Sequence, residues 1–299
     1  MSDRIVFTDS RPVMGGESVI TVVGGSAQIL DEAFALATLC DSSWSRFLSG
    51  SELDRVNHAQ GARVEVSPLT IALIDEMIAG FALTSGDFNP TLLPRVVETG
   101  YAASLVRSGH LTTLPEGARA FDSLDEIALN EGGVQLPAGM TLDSGGIGKG
   151  FAAELIAAAV MNSGATGVMV SMSGDIVVAG ESAQGGPWLV GVEDPFDEES
   201  RVDIVRLVEG SVVTSSQRKK RFGTSHHLID PRTGLSASTC VQTVSVIARS
   251  GARAEALAKS GFLRPVEEFL KWLPTVGAAA LVIEADGRRR ESENWRLYR

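Results

Sequence analysis

Apolar positions along this chain follow two periods, and the change between them organises it. Residues 19–23 form a β-branched run that predicts a strand, ended by Gly24-Gly25. From 27 to 40 the spacing of Leu30, Ala33, Phe34, Ala37 and Cys40 is helical, and a polar stretch over 43–57 follows. Ser67-Pro68 predicts a helix start, because serine caps free amides and proline suits the first helical position. Leu69, Leu73, Met77 and Phe81 then share one face, and Ser85-Gly86 closes the segment. Beyond Thr166 the pattern shortens. Strand-like runs at 168–171, 176–179, 188–192, 212–214 and 241–247 alternate with glycine- and proline-containing turns. Helical patterns return at 252–262 and 266–273, and 279–284 with Asp286-Gly287 predicts a closing hairpin. No repeat, low-complexity tract or linker interrupts the 299 residues. The expectation is one α+β domain over 1–299, with helices packed on largely antiparallel or mixed sheet in two closely joined lobes.

Composition narrows the class. Hydrophobic residues at 44% and charged residues at 21% describe a globular chain. Its net charge of −11 argues against unspecific nucleic-acid binding, so any bound phosphate must be met locally by amides, a few basic side chains or a metal. Cys40 and Cys240 match no metal-binding spacing and are expected as free core thiols. Residues 1–12 are polar, with Asp3 and Asp9, unlike a secretory signal, and no apolar run reaches membrane-spanning length; a cytoplasmic protein is expected.

Candidate chemistry concentrates in a few turns. Residues 142–150 read Leu-Asp-Ser-Gly-Gly-Ile-Gly-Lys-Gly and precede a helical run over 151–161. Such a turn lets backbone amides approach an anion at a helix N-terminus, with Lys149 reaching a phosphate and Asp143 receiving a hydroxyl or ring N–H. The same residues also fit a tight strand-to-helix turn with a surface lysine, and the spacing is not that of a Walker A loop. Ser173-Gly174-Asp175 forms a turn between two apolar runs. Residues 225–234 hold two of the four histidines, His226 and His227, beside the rigid Asp230-Pro231-Arg232-Thr233-Gly234 turn, where a histidine can act as base or ligand. The 84–91 turn fits a cofactor rim or a plain loop, and the basic cluster 218–221, just before the histidine segment, fits a solvated run or one that steers a phosphate. His58 and His110 have no companions and are expected to be structural.

In this order the segments resemble the ApbE family of FAD:protein FMN transferases, from Met14-Gly15 to about Phe262. Its landmarks are Ser51, Leu53 and Asn57; Gly86, Phe88, Asn89, Pro90 and Thr91; residues 142–150; Gly174 to Ile176; Thr214 to Ser216; and His227 to Gly234. The resemblance implies a T-fold-like architecture binding FAD between its lobes, with Mg2+ at the pyrophosphate. The partner would be an acceptor flavoprotein whose threonine or serine hydroxyl attacks the FMN-side phosphorus, releasing AMP. His227 would be the base, Lys149 a positive charge and Asp230 the residue orienting the loop. Met14, Phe47, Asp143, Gly145, Gly146, Lys149, Gly150, Ser173, Gly174, Asp175, Ser215, Ile229 and Thr233 would bind the cofactor, and Gly148 and Glu255 the metal.

The chain departs from the family pattern at Asn89, at Ser173, at Ser216 and, above all, at the metal motif. Where many members read Ala-Asp-Ala-Leu-Ala-Thr, residues 254–259 read Ala-Glu-Ala-Leu-Ala-Lys. Glu255 can ligate a hard cation; a protonated Lys259 has no lone pair to offer. The pair is also spaced for a helical salt bridge. The expectation is that Lys259 supplies part of the metal's charge, leaving magnesium dependence weak or altered. The alternatives are a non-catalytic FAD-binding protein, and an FAD pyrophosphatase in which water replaces the acceptor hydroxyl.

Overall fold

The structure is a computed structural model describing residues 4–130, 132–223 and 225–299, with the backbone alone at 198; Asp3 lies outside the described residues. Its main strands are β1 (Val6–Val13), β2 (Gly16–Val23), β3 (Gly167–Met172), β4 (Asp175–Gly180), β5 (Trp188–Asp194), β6 (Asp197–Leu207), β7 (Gly210–Ser216), β8 (Val241–Ala248), β9 (Ala279–Glu284) and β10 (Arg289–Glu291). Eight of them form one sheet in the order β1-β2-β3-β4-β7-β8-β9-β10, antiparallel at every junction. β5 and β6 pair only with each other. The helices are α1 (Ala27–Trp44), α2 (Glu52–Asn57), α3 (Pro68–Thr84), α4 (Leu93–Glu98), α5 (Gly148–Asn162), α6 (Gly251–Ser260) and α7 (Val266–Trp272).

Successive side chains of a strand face opposite ways, so this sheet has two faces to cover. Val22, Val168, Val170 and Val177 pack against α1 and α5, and Val213, Val244 and Val246 against α6. Their neighbours Val23, Val178, Val212 and Ile247 pack the other way, against Trp188, Val190, Val205 and Leu207 of the β5–β6 hairpin. This two-sided burial is why the strands read as apolar runs rather than as alternating patterns. A second core lies under α3, where Leu73, Ile74 and Met77 meet Val134 of a small ladder formed by Val64–Glu65, Ala128–Asn130 and Gly133–Gln135.

Helix ends follow local chemistry. Ser67 accepts from the Thr70 amide at 3.4 Å with Pro68 at the first position, and Ser85 closes α3 in the left-handed conformation (φ 54°). α5 and α6 cross at glycines. A Cβ on Gly150 would sit 2.3 Å from the Gly251 carbonyl oxygen, and one on Gly251 2.2 Å from that of Gly150. Glu154 of α5 locks the crossing by accepting from Ser250 Oγ (2.7 Å) and the Gly251 amide (3.1 Å).

Several expectations need correction. Residues 43–57 contain α2, capped by Ser51 Oγ on the Asp54 amide at 3.0 Å. β1 and β6 were not expected: β1 is an edge strand that accommodates Pro12, and β6 is dominated by outward-facing charge. Cys40 is a core thiol, pushed up to about 12 by burial, whereas Cys240 is exposed. Among the described residues no helix is long and apolar enough to cross a membrane.

Candidate active site

A cavity of about 620 Å³ opens beside the first turn of α5, within the range typical of small-molecule sites. Its floor is the glycine turn. Asn57 clamps the approach to that turn, donating to the Leu142 carbonyl (2.9 Å) and accepting its amide (2.7 Å). The Asp143 amide donates to Pro90 O (2.9 Å), and the Asp143 carboxylate accepts from Gly145 N (3.0 Å) and lies 3.4 Å from Arg46 Nε. Gly146 must lack a side chain, because a Cβ there would meet the Phe88 ring at 2.9 Å. Two hairpin turns form another edge, Met14-Gly15 between β1 and β2 and Ser173-Gly174 between β3 and β4. All four residues have positive φ (54°, 81°, 54° and 94°), the geometry two-residue hairpins require. For Met14 and Ser173 that conformation costs about 1–3 kcal/mol each.

The electrostatic centre is a buried quartet. Lys149 Nζ contacts Asp175 Oδ2 and lies 3.2 Å from Glu255 Oε1; Lys259 Nζ lies 3.9 Å from the same Glu255 oxygen and donates to Ser215 Oγ at 3.3 Å. Glu255 Oε2 accepts from the Gly150 amide at 2.7 Å, so a protein carboxylate already sits at the N-terminus of α5. Burial alone would drive Lys149 down, yet the Asp175 and Glu255 carboxylates hold it above the ordinary lysine value. For Lys259 burial prevails over Glu255, and its pKa is lowered. Burial pushes Asp175 up against the pull of Lys149, whereas Lys149, Lys259 and the Gly150 amide overcome the burial of Glu255 and hold it down.

The opposite wall is aromatic and basic. Arg46, with 4% of its side chain exposed, stacks on Phe47 (4.1 Å) and Tyr101 (4.6 Å), and Tyr101 in turn stacks on Phe222 with ring centroids 5.1 Å apart. Lys220 Nζ lies 5.5 Å over the Tyr101 ring and makes no salt bridge among the described residues; burial and the charge of Lys149 lower it to about 8. The His227 amide donates to Lys220 O (3.3 Å), and His227 Nδ1 is buried without a partner among the described residues. Burial, then the charges of Lys220 and Lys259, push His227 well below the usual histidine range, so it is neutral at pH 7.

Of the residues expected from the sequence, Met14, Phe47, Asp143, Gly145, Gly146, Gly148, Lys149, Ser173, Asp175, Ser215, His227, Ile229, Glu255 and Lys259 line this cavity together. Gly150, Gly174, Asp230 and Thr233 do not. The Gly150 amide is committed to Glu255 and its Cα to the helix crossing, while Gly174 only completes a hairpin turn. Asp230, expected to orient the loop, pairs with Arg232 (2.8 Å) and accepts the Arg232 amide (3.0 Å). The Thr233 hydroxyl accepts from the Leu235 amide at 3.2 Å within the same turn. The expected amide cradle is also smaller, since the Gly145 amide is held by Asp143. Asn89 lines the cavity and explains its own departure: Nδ2 donates to Phe121 O (2.8 Å) while Oδ1 accepts from Thr91 N (2.8 Å), and an ionised aspartate cannot donate. Arg46, Tyr101 and Trp44 line the site without having been singled out from the sequence.

A divalent cation does not fit the donors present. Both oxygens of Glu255 are engaged, Asp175 is held by Lys149, and the Lys259 ammonium, which has no lone pair to offer, lies 3.9 Å from Glu255 Oε1. Among the described residues no three His, Cys, Asp or Glu side chains converge on one point.

Comparison with known proteins places these features in a family context. The model of the ApbE family matches residues 14–282. The chain is 31% identical over 288 residues to the FAD:protein FMN transferase of Treponema pallidum, covering 88% of this chain and 79% of that protein. It is 26% identical over 246 residues to the FAD:protein FMN transferase of Vibrio cholerae, covering 79% and 73%. In fold it superposes on the ApbE protein of Thermotoga maritima with a TM-score of 0.83 (24% identity, 98% and 99% covered). It also superposes on the flavin transferase ApbE of Vibrio cholerae with a TM-score of 0.82 (22% identity, 99% and 100% covered).

Proposed function

The chain belongs to the ApbE family, and we infer from that membership that it is an FAD:protein FMN transferase, moving FMN from FAD onto a hydroxyl of an acceptor flavoprotein. One cavity holds what this chemistry needs: a neutral histidine beside a cluster of ammonium groups, and that conjunction carries the mechanism. The acceptor oxygen forms a bond to the FMN-side phosphorus as the bridging P–O bond breaks, and the bond's electron pair leaves with AMP. His227 takes the hydroxyl proton, a role that requires an unprotonated imidazole and gains from burial. Negative charge gathers on the phosphoryl oxygens and on the departing phosphate. Lys149, Lys220 and Lys259 are placed to oppose it, and such transfers depend on alignment and charge neutralisation more than on covalent help.

The rest of the cavity serves binding. Planar rings of FAD find Phe47 and Tyr101, backed by the Arg46 guanidinium. Asp143, fixed by Arg46 and the Gly145 amide, offers an acceptor for a ring N–H or a ribose hydroxyl. The test follows AMP release from FAD with and without an acceptor domain. Transfer predicts AMP in step with flavin-labelled acceptor; AMP and free FMN formed at the same rate without acceptor would instead identify a pyrophosphatase.

A further inference from the structure

The position at which the family pattern brings a metal ligand carries a buried ammonium in this chain, and its surroundings are built for that ammonium. We propose that Lys259 takes the place of a divalent cation, so that the chain transfers FMN without any divalent metal; this rests on the transferase reading. Lys259 reaches the cavity from the last turn of α6 with 17% of its side chain exposed, donates to Ser215 Oγ and pairs with Glu255. Two ammonium groups and two carboxylates make up the quartet, and their charges cancel. Without Lys259 the same cluster would hold Lys149 against Asp175 and Glu255, an excess negative charge that attracts a hard cation. With Lys259 present, a divalent ion would enter a neutral, buried cluster beside two ammonium groups, and would find the Glu255 oxygens already used by Lys149, Lys259 and the Gly150 amide.

The ammonium also has the chemistry for the role. Its N–H groups donate to non-bridging phosphoryl oxygens, forming charge-assisted bonds where a metal would form coordinate ones. Lys220, with no carboxylate partner among the described residues, adds a second charge from the opposite wall of the cavity. Beside Lys149, charge thus comes to the pyrophosphate from two further side chains held by different elements, α6 and the segment following β7.

The experiment uses the full chain stripped with EDTA, and has two readouts. Transfer to an acceptor domain in EDTA is expected to run within about twofold of the rate with Mg2+ added. Lys259→Thr is expected to lose at least tenfold in EDTA and to recover with Mg2+. Independently, Mn2+ titration followed by electron paramagnetic resonance is expected to show no bound ion on the FAD-loaded parent and one on the variant. A parent that loses transfer tenfold in EDTA and regains it with Mg2+, or that binds one Mn2+ as tightly as the variant, overturns the proposal. Absence of transfer under every condition would refute the transferase reading instead, and the Mn2+ titration of the parent would still decide the role of Lys259.

Discussion

Glu255→Gln keeps the shape of the most engaged side chain in the site and removes one buried charge. The Glu255 side chain is 1% exposed; its Oε2 accepts the Gly150 amide at 2.7 Å, and its Oε1 faces Lys149 at 3.2 Å and Lys259 at 3.9 Å. Glutamine can still accept from Gly150, but two ammonium groups are then left to share Asp175. Removing one partner of a buried pair costs about 3–5 kcal/mol. For a chain of this size that corresponds to a fall in Tm of roughly 5–8 °C. The loss also carries a pH signature. Lys259 already lies below the ordinary lysine value of 10.5, because burial outweighs Glu255, and without Glu255 it falls further. Within that interval the unfolded chain binds a proton that the folded variant has shed, so the variant's stability rises with pH. Chemical denaturation at pH 7 and pH 9.5 reads both effects. The deficit is expected to be about 3–5 kcal/mol at pH 7 and smaller at pH 9.5. A deficit below about 1 kcal/mol at pH 7, or one that grows with pH, would mean that Glu255 does not hold the two ammonium groups in the buried cluster.

Other consequences can be measured separately. His227→Ala should retain FAD binding, followed by flavin fluorescence, and lose transfer by about 10²–10⁴-fold; equal rates in variant and parent would remove His227 from the mechanism. Because His227 is depressed well below 6.5 and Lys220 lowered to about 8, the transfer rate should hold from near neutrality to about pH 8 and fall above it as the Lys220 ammonium is lost. In Lys220→Met that alkaline limb should vanish and the rate drop on the order of 10²-fold; an unchanged limb would assign it to another group. Gly150→Ala places a Cβ 2.3 Å from the Gly251 carbonyl oxygen, and calorimetry should show destabilisation of about 1–3 kcal/mol or more from overpacking; a variant as stable as the parent would mean that the helices separate freely.

Much of the fold was legible because local and tertiary signals agree. Ser67-Pro68 begins α3 in sequence and structure alike, and the apolar runs of β3, β4, β7, β8 and β9 mark strands buried on both faces. β6 escaped because only one of its faces is covered and the other carries charge, and β1 because an edge strand tolerates polar residues and Pro12. Site residues on the 142–150 turn were readable because the glycines permit close approach there. Gly150 shows the limit of that logic: its missing side chain serves a helix crossing, visible only when Gly251 is brought against it across 100 residues of chain. Arg46 and Tyr101 carried no local signal, since their meaning lies in stacking between separate loops, whereas Lys220 was legible only as one member of a basic cluster. The Glu255–Lys259 spacing was readable as a helical pair; that Lys149, Asp175 and the Gly150 amide close around it was not.

Transfer of FMN by this chain is read most directly from the covalent product. The purified chain is incubated with FAD and a flavoprotein domain bearing an acceptor threonine, and the products are run on a denaturing gel. A fluorescent acceptor band is expected, and it should disappear when the threonine is replaced by valine. An acceptor that stays dark while the chain demonstrably binds FAD, with acceptors flavinylated by other family members as positive controls, would contradict it.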